Sequence, residues 1–237
     1  MLVEVLVESP IRFCLWVMKM RDFSNYHKLD VNKKIEHDSL FLLNKSLNGF
    51  SSYEVVINYE KSTKILMNQK WDADGEAVKV IGHIADIERG NLIEYNGEYW
   101  LVVTKPEDNR IYRKAEARLC STEFPVKYAD QKVEIGKDDM NRPVYDIIEG
   151  EVKMLPCVPK MNDASTSIAD TNNPINLLAN QVMITIPYTE APSIKYNEKF
   201  KLFNDTYRII RIDPSKSINK VGVLRITGER VESVGDN

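Results

Sequence analysis

Reactive chemistry is what this sequence has least of. Its 237 residues include three histidines and three cysteines. Cys14, Cys120 and Cys157 are widely spaced and odd in number, so no disulfide framework and no Cys-x-x-Cys metal pair can be read from them. A reducing compartment is the default for such usage. His27, His37 and His83 do not pair with one another or with cysteine at ligand spacing. The Gly-x-Ser-x-Gly elbow, the phosphate loop and the dinucleotide fingerprint are all missing. The stretch "WDADGEA" (71–77) alternates Asp72, Asp74 and Glu76. Its Gly75 comes too early for the glycine of a calcium loop and no closing Glu follows, so it reads as a surface turn. No enzyme activity, metal or cofactor is expected.

Long apolar runs are lacking too, so no membrane span is expected. A basic excess is absent: the formal net charge is -3 and the pI about 5.8. That argues against a protein whose main task is coating nucleic acid. The opening "MLVEVLVESPIRFCLWVMKM" is acidic before its apolar part and lacks a small-residue cleavage site, so it fails as a secretory signal. Residues 1–19 read as an extension ahead of the folded chain, or as an added edge strand in which Val3, Val5 and Val7 alternate.

What is present is helix followed by strand. Residues 30–47 carry Val31, Ile35, Leu42, Leu43 and Leu47 at helical spacing, with Asp30 as a cap and Gly49 as a left-handed terminator. From Ser52 onward short β-rich runs alternate with turns. The strongest is "GNLIEYNGEYWLVVTKPED" (90–108), two apolar runs meeting at Asn96-Gly97, the pair best suited to a two-residue hairpin turn. "EKFKLFNDTYRIIRIDPSK" (198–216) resembles it. A shift of 108 positions places Leu92 on Phe200, Asn96 on Asn204, Tyr99 on Tyr207 and Pro106 on Pro214. Asn204-Asp205 is then the second hairpin corner, and the match reads as duplication of a β module, or at least of its architecture, against convergence of unrelated hairpins that share this aromatic–Asn–x–x–aromatic spacing. The predicted fold is mostly β: two small barrel or sandwich modules with related hairpins, plus one N-terminal amphipathic helix. Residues 20–50 form the helical segment, 51–124 the first β module and 125–237 the second. "VYDIIEGEVKML" (144–155) marks the start of strands in the second module, which carries a long polar loop at 162–173.

Tyr95, Tyr99, Trp100, Phe203 and Tyr207, with nearby Arg and Lys, could form a small-barrel platform for single-stranded nucleic acid. The competing reading puts the same rings in barrel cores and cross-strand pairs.

The block "GNLIEYNGEYWLVVTKPEDNRIYRKAEARLC" (90–120), with 20–50 and "TKILMNQKWDAD" (63–74), resembles structural proteins from the morphogenesis clusters of tailed phages and prophages of Gram-positive bacteria. Ser121 departs from the Asn that usually follows the Cys. The resemblance implies a non-catalytic virion protein of the neck. It would be a head–tail connector or stopper-like ring that completes the head, closes the DNA channel and docks the tail, assembled in the bacterial host cytoplasm. Its partners would be itself as a ring homo-oligomer, portal or adaptor and tail proteins, and phage DNA held non-specifically, with no membrane. Another tail structural protein is the alternative within that class. Ring contacts are head-to-tail. Tyr99, Trp100, Leu101, Val102 and Val103, apolar on both faces of one strand, are therefore the candidate subunit contacts. Asn162, Asp163, Ser165, Thr166, Ser167, Asp170, Thr171, Asn172 and Asn173 form the candidate channel loop.

Overall fold

The structure is a computed structural model describing residues 30–69, 76–137, 140, 142–161 and 180–231. The N-terminal extension, the acidic turn at 71–75 and the candidate channel loop lie outside the described residues. The chain divides into two units, Met1–Asn44 and Lys45–Asn237.

Most of the described first unit is helix α1 (Val31–Leu47), which runs on into the start of the second. Asp30 caps it: Asn32 N–H donates to Asp30 Oδ1 at 3.4 Å. The expected apolar stripe is in fact two. Leu43 and Leu47 are buried, whereas Val31, Ile35 and Leu42 are 69%, 57% and 61% exposed. At 3.6 residues per turn the two sets point about 120° apart, so one cannot bury with the other. Gly49 does not end the helix in a left-handed conformation. It has no positive φ, and its N–H donates to Ser46 O at 3.1 Å.

In the second unit, the first module is built from β1 (Ser52–Ile57), β2 (Lys61–Gln69), β3 (Ala77–Gly82), β4 (Leu92–Tyr95), β5 (Glu98–Val102), the short β6 (Glu107–Asp108) and β7 (Arg113–Leu119). All pairings are antiparallel. β3 pairs with both β2 and β7, and β1 with both β2 and β4. The ring β1-β2-β3-β7-β5-β4 is therefore a closed six-stranded barrel, which leaves no edge among those strands. Val55, Ile57, Ile65, Val80, Ile93, Trp100 and Val102 fill it. Ala115 and Ala117 on β7 supply the small side chains that make room for the larger ones.

The second module holds β8 (Thr122–Lys127), β9 (Gln131–Lys137), β10 (Pro143–Ile148), β11 (Val152–Met161), β12 (Gln181–Pro187), β13 (Lys199–Leu202), β14 (Asp205–Asp213), β15 (Ser217–Ile218) and β16 (Val221–Arg230). Its sheet runs β8-β11-β12-β16-β14-β13 and curls into a nearly closed barrel. β8 and β13 are its two ends. Phe124 and Phe200 meet across them with ring centroids 5.1 Å apart. Ser193 Oγ accepts Lys127 N–H at 2.9 Å, which occupies a free donor on the β8 edge. The module already begins at Thr122, ahead of the predicted 125. Pro125 hid this strand. A proline removes a ladder donor, and β8 tolerates it because it is an edge.

The duplication is visible in the topology. With the six main strands of each module numbered in chain order, both modules run 1-2-3-6-5-4. Each also lays a two-residue strand on its last main strand, β6 on β7 and β15 on β16. The register differs from the predicted one. The first corner is Asn96-Gly97, with φ of 51° and 79°. The second is Phe203-Asn204, with φ of 49° and 70°, because Leu202 pairs directly with Asp205. Asp205 is thus the first residue of β14, not a corner. The equivalence is a shift of 107. It puts the inward Ile93, Trp100 and Val102 on the inward Phe200, Tyr207 and Ile209. A shift of 108 would have exchanged the two faces of every strand.

Candidate functional site

The residues singled out on β5 face two ways. Trp100 and Val102 point into the first barrel. Leu101 points outward yet has no solvent exposure. It belongs to a separate apolar cluster with Leu92 and with Val223 of β16, against which Tyr99, Val103, Cys120 and Val158 of β11 pack. The outer face of β5 is therefore covered by the second barrel of the same chain. Of the candidate subunit contacts, Trp100, Leu101 and Val102 are thus buried within this chain, and Tyr99 and Val103 are half-buried beside its second barrel. A strand apolar on both faces does need two covers, and the duplicated module supplies the second.

This seam is tight at the backbone. Gly90 has φ +91°, and a Cβ there would lie 2.0 Å from the carbonyl oxygen of Gly222, itself at φ +139°. Only glycine permits such an approach at that φ. Beside it Arg89 Nη1 donates to Lys216 O at 3.2 Å, joining the first module to the β14–β15 loop. Further along, the rings of Tyr59 and Tyr99 are 5.7 Å apart, and Lys153 Nζ lies 5.4 Å from the centre of the Tyr59 ring. Burial pushes the Tyr59 hydroxyl up to about 12, with Tyr99 adding to it.

The two described cysteines flank the seam. Burial pushes both thiols up to about 12; for Cys157 the neighbouring Cys120 and Glu123 add to the effect. Free thiols titrate near 8.5. The stability gained by holding them neutral is fully present below about pH 8.5 and is lost as pH rises toward 12. A thiolate is the reactive form. In a Cys14→Ser background, Cys157 of the native chain should react with an aromatic disulfide at pH 8 at least about 100-fold more slowly than in urea; a stopped-flow comparison checks it.

Asp86, 4% exposed, is the most deeply buried carboxylate described. Lys61 Nζ pairs with its Oδ1, and Thr63 Oγ1 donates to Oδ2 at 2.8 Å. Asn91 Nδ2 donates to its backbone carbonyl at 2.9 Å. These bonds fix the β3–β4 loop to β2. Nothing in the sequence distinguished Asp86 from the other acids of the chain.

Among the described residues no group of three or more His, Cys, Asp or Glu converges. The rings proposed as a stacking platform do not share an open face. Trp100 and Tyr207 are buried, Tyr95 packs edge-on against Tyr53 and Tyr99 borders the seam, so only Phe203 stands out, 51% exposed. An open cleft of about 480 Å³ at one end of the second barrel is lined by Tyr188, Glu190, Ile194, Ile212, Pro214 and Leu224 among others. The Glu190 carboxylate at this cleft is already engaged by Tyr188 and Lys220.

The largest apolar exposure of the second module is the β9–β10 hairpin. Every residue of both strands is exposed, including Ile135 at 65%, Ile147 at 59% and Ile148 at 54%. It is inserted between the second module's first two main strands. The first module makes the same connection with a tight turn at 58–60.

Residues 24–119 match the YomX N-terminal domain and residues 123–229 the YomX C-terminal domain. The chain belongs to the YomX family. The boundary between the two family domains falls where β7 gives way to β8. A relative, the SPbeta prophage-derived protein YomX of Bacillus subtilis (strain 168), is 33% identical over 213 residues, covering 89% of this chain and 97% of that protein. Two structures of K. pneumonia MrkH, one in its apo state, align over 83% of this chain and 84% and 86% of theirs. Their 8% identity and TM-score of 0.20 are too low to bear on the YomX-family fold.

Proposed function

We propose that this chain is a phage-derived structural protein without catalytic activity, a ring-forming component of the virion at the head–tail interface. In this reading it contacts copies of itself, portal or adaptor and tail proteins, and passing DNA without sequence preference. The observation that carries the reading is the β9–β10 hairpin. A two-stranded ribbon exposed on both faces has little stability of its own, and one rich in Val, Ile and Tyr gains most by packing on another surface. The prophage origin of the family relative supports the phage setting, and two rigid barrels suit a building element.

The test is mass in solution with negative-stain microscopy. Wild type should associate into closed rings as concentration rises. The double variant Ile135→Asp, Ile147→Asp should stay monomeric, with stability changed by no more than about 0.5 kcal/mol, as befits surface positions. A wild-type chain that remains monomeric at every concentration and binds single-stranded DNA tightly would overturn the reading.

A further inference from the structure

We propose that the seam carries a binding site for a phosphoryl oxyanion, formed by Arg89 of the first module with Lys216 and Arg225 of the second. The argument starts from topology. On the outer face of the second barrel, cross-strand pairing sets Val158 beside Thr185, Thr185 beside Arg225, and Arg225 beside Asp213. Val158 and, two residues from Arg225, Val223 pack in the seam cluster. Arg225 is thereby held at the margin of the seam. Arg89, next to the Gly90–Gly222 contact, reaches it from the other module through Lys216 O.

Three cations are thus gathered where modules meet, and the chain leaves them under-compensated. The Nε of Arg89 and the Nε of Arg225 are both buried and have no hydrogen-bond acceptor among the described residues. Buried donors are nearly always satisfied, and an orphaned one costs about 1–3 kcal/mol, so two together call for an acceptor. Asp213 is the acid that faces this group. Its carboxyl is held low first by the bonds from Ser215, then by Arg211 and Arg225. Lys216 is pushed below its ordinary value first by burial and then by Arg225 and Arg89, with Asp213 opposing them, so both guanidinium groups lie close enough to act on its ammonium. Two guanidinium forks and one ammonium suit a tetrahedral oxyanion, because the forks offer paired donors in a fixed plane. The rings are not stacked on an open face, so the recognition is of phosphate and not of bases. This inference does not rest on the assembly reading.

The experiment is calorimetric titration of the full chain with inorganic pyrophosphate at constant ionic strength, with sodium chloride as the matched control. Saturable binding is expected. Arg225→Met should weaken it at least about tenfold, the scale of one charge-assisted hydrogen bond. Asp213→Asn keeps an oxygen for Ser215 but removes the competing charge, so it should tighten binding; a purely structural role for Arg225 would not produce that gain. A short DNA duplex added in competition separates the sources. Displacement of pyrophosphate identifies backbone phosphate, and no displacement identifies a small phosphorylated molecule. If Arg225→Met fails to fold, Lys216→Met and Asp213→Asn decide. Heat no greater than that of the chloride control, or equal affinity in wild type and all folded variants, would overturn the proposal.

Discussion

Gly90→Ala should cost about 3–5 kcal/mol of stability, while Gly97→Ala, also at a positive φ, should cost only about 1–2 kcal/mol. Both glycines are left-handed, so both substitutions incur the steric penalty of a Cβ in that region. Only at Gly90 is there an obstacle. Its Cβ would fall 2.0 Å from Gly222 O, whereas a Cβ on Gly97 meets nothing within 4 Å. Neither backbone can yield cheaply. Gly90 N–H donates to Val102 O at 2.9 Å, and Gly222 O accepts Tyr188 N–H at 2.9 Å. Relieving the clash means parting the modules, which also breaks the Arg89–Lys216 bond. Urea denaturation followed by circular dichroism checks it. The Gly90→Ala midpoint should drop sharply and the transition should broaden as the barrels lose their coupling. Equal midpoints for the two variants would show that the seam does not join the modules.

Strand content and duplication were legible because both are written in local patterns. β-branched and aromatic runs broken by Asn-Gly announce a hairpin wherever it sits. Register was not legible, and the reason is chemical. Aligning Asn96 with Asn204 matches letters, but a type I′ turn asks for two residues at positive φ, and in the second module the first of these is Phe203. An aromatic residue is rare there, so identity pointed one position too far. That slip exchanged inside for outside between the copies, setting Tyr99 of the seam against Tyr207 of the second core. The apolar character of both faces of β5 was legible; the identity of its cover was not. A strand does not record whether its partner surface is another subunit or a later part of the same chain. Asp86 and the Arg89–Lys216–Arg225 group were invisible for a related reason, since each is assembled from loops and strands far apart in sequence.

Leu101 gives the sharpest test of that distinction. It has no solvent exposure and sits between Leu92 and Val223. Leu101→Ala should cost about 3 kcal/mol through lost burial and a residual cavity. Leu101→Asp should cost more, because the carboxylate would be desolvated with no cation among the residues of that cluster. The effect belongs to the monomer, so the loss of midpoint should be the same at low and high protein concentration. A contact between subunits would behave otherwise, since stability gained by association rises with concentration. Ile147→Asp on the exposed hairpin supplies the contrast: no loss in the isolated chain, and a loss of association where copies meet. The same substitution type, placed on a seam and on a free ribbon of one molecule, separates what holds the two barrels together from what they offer to neighbours.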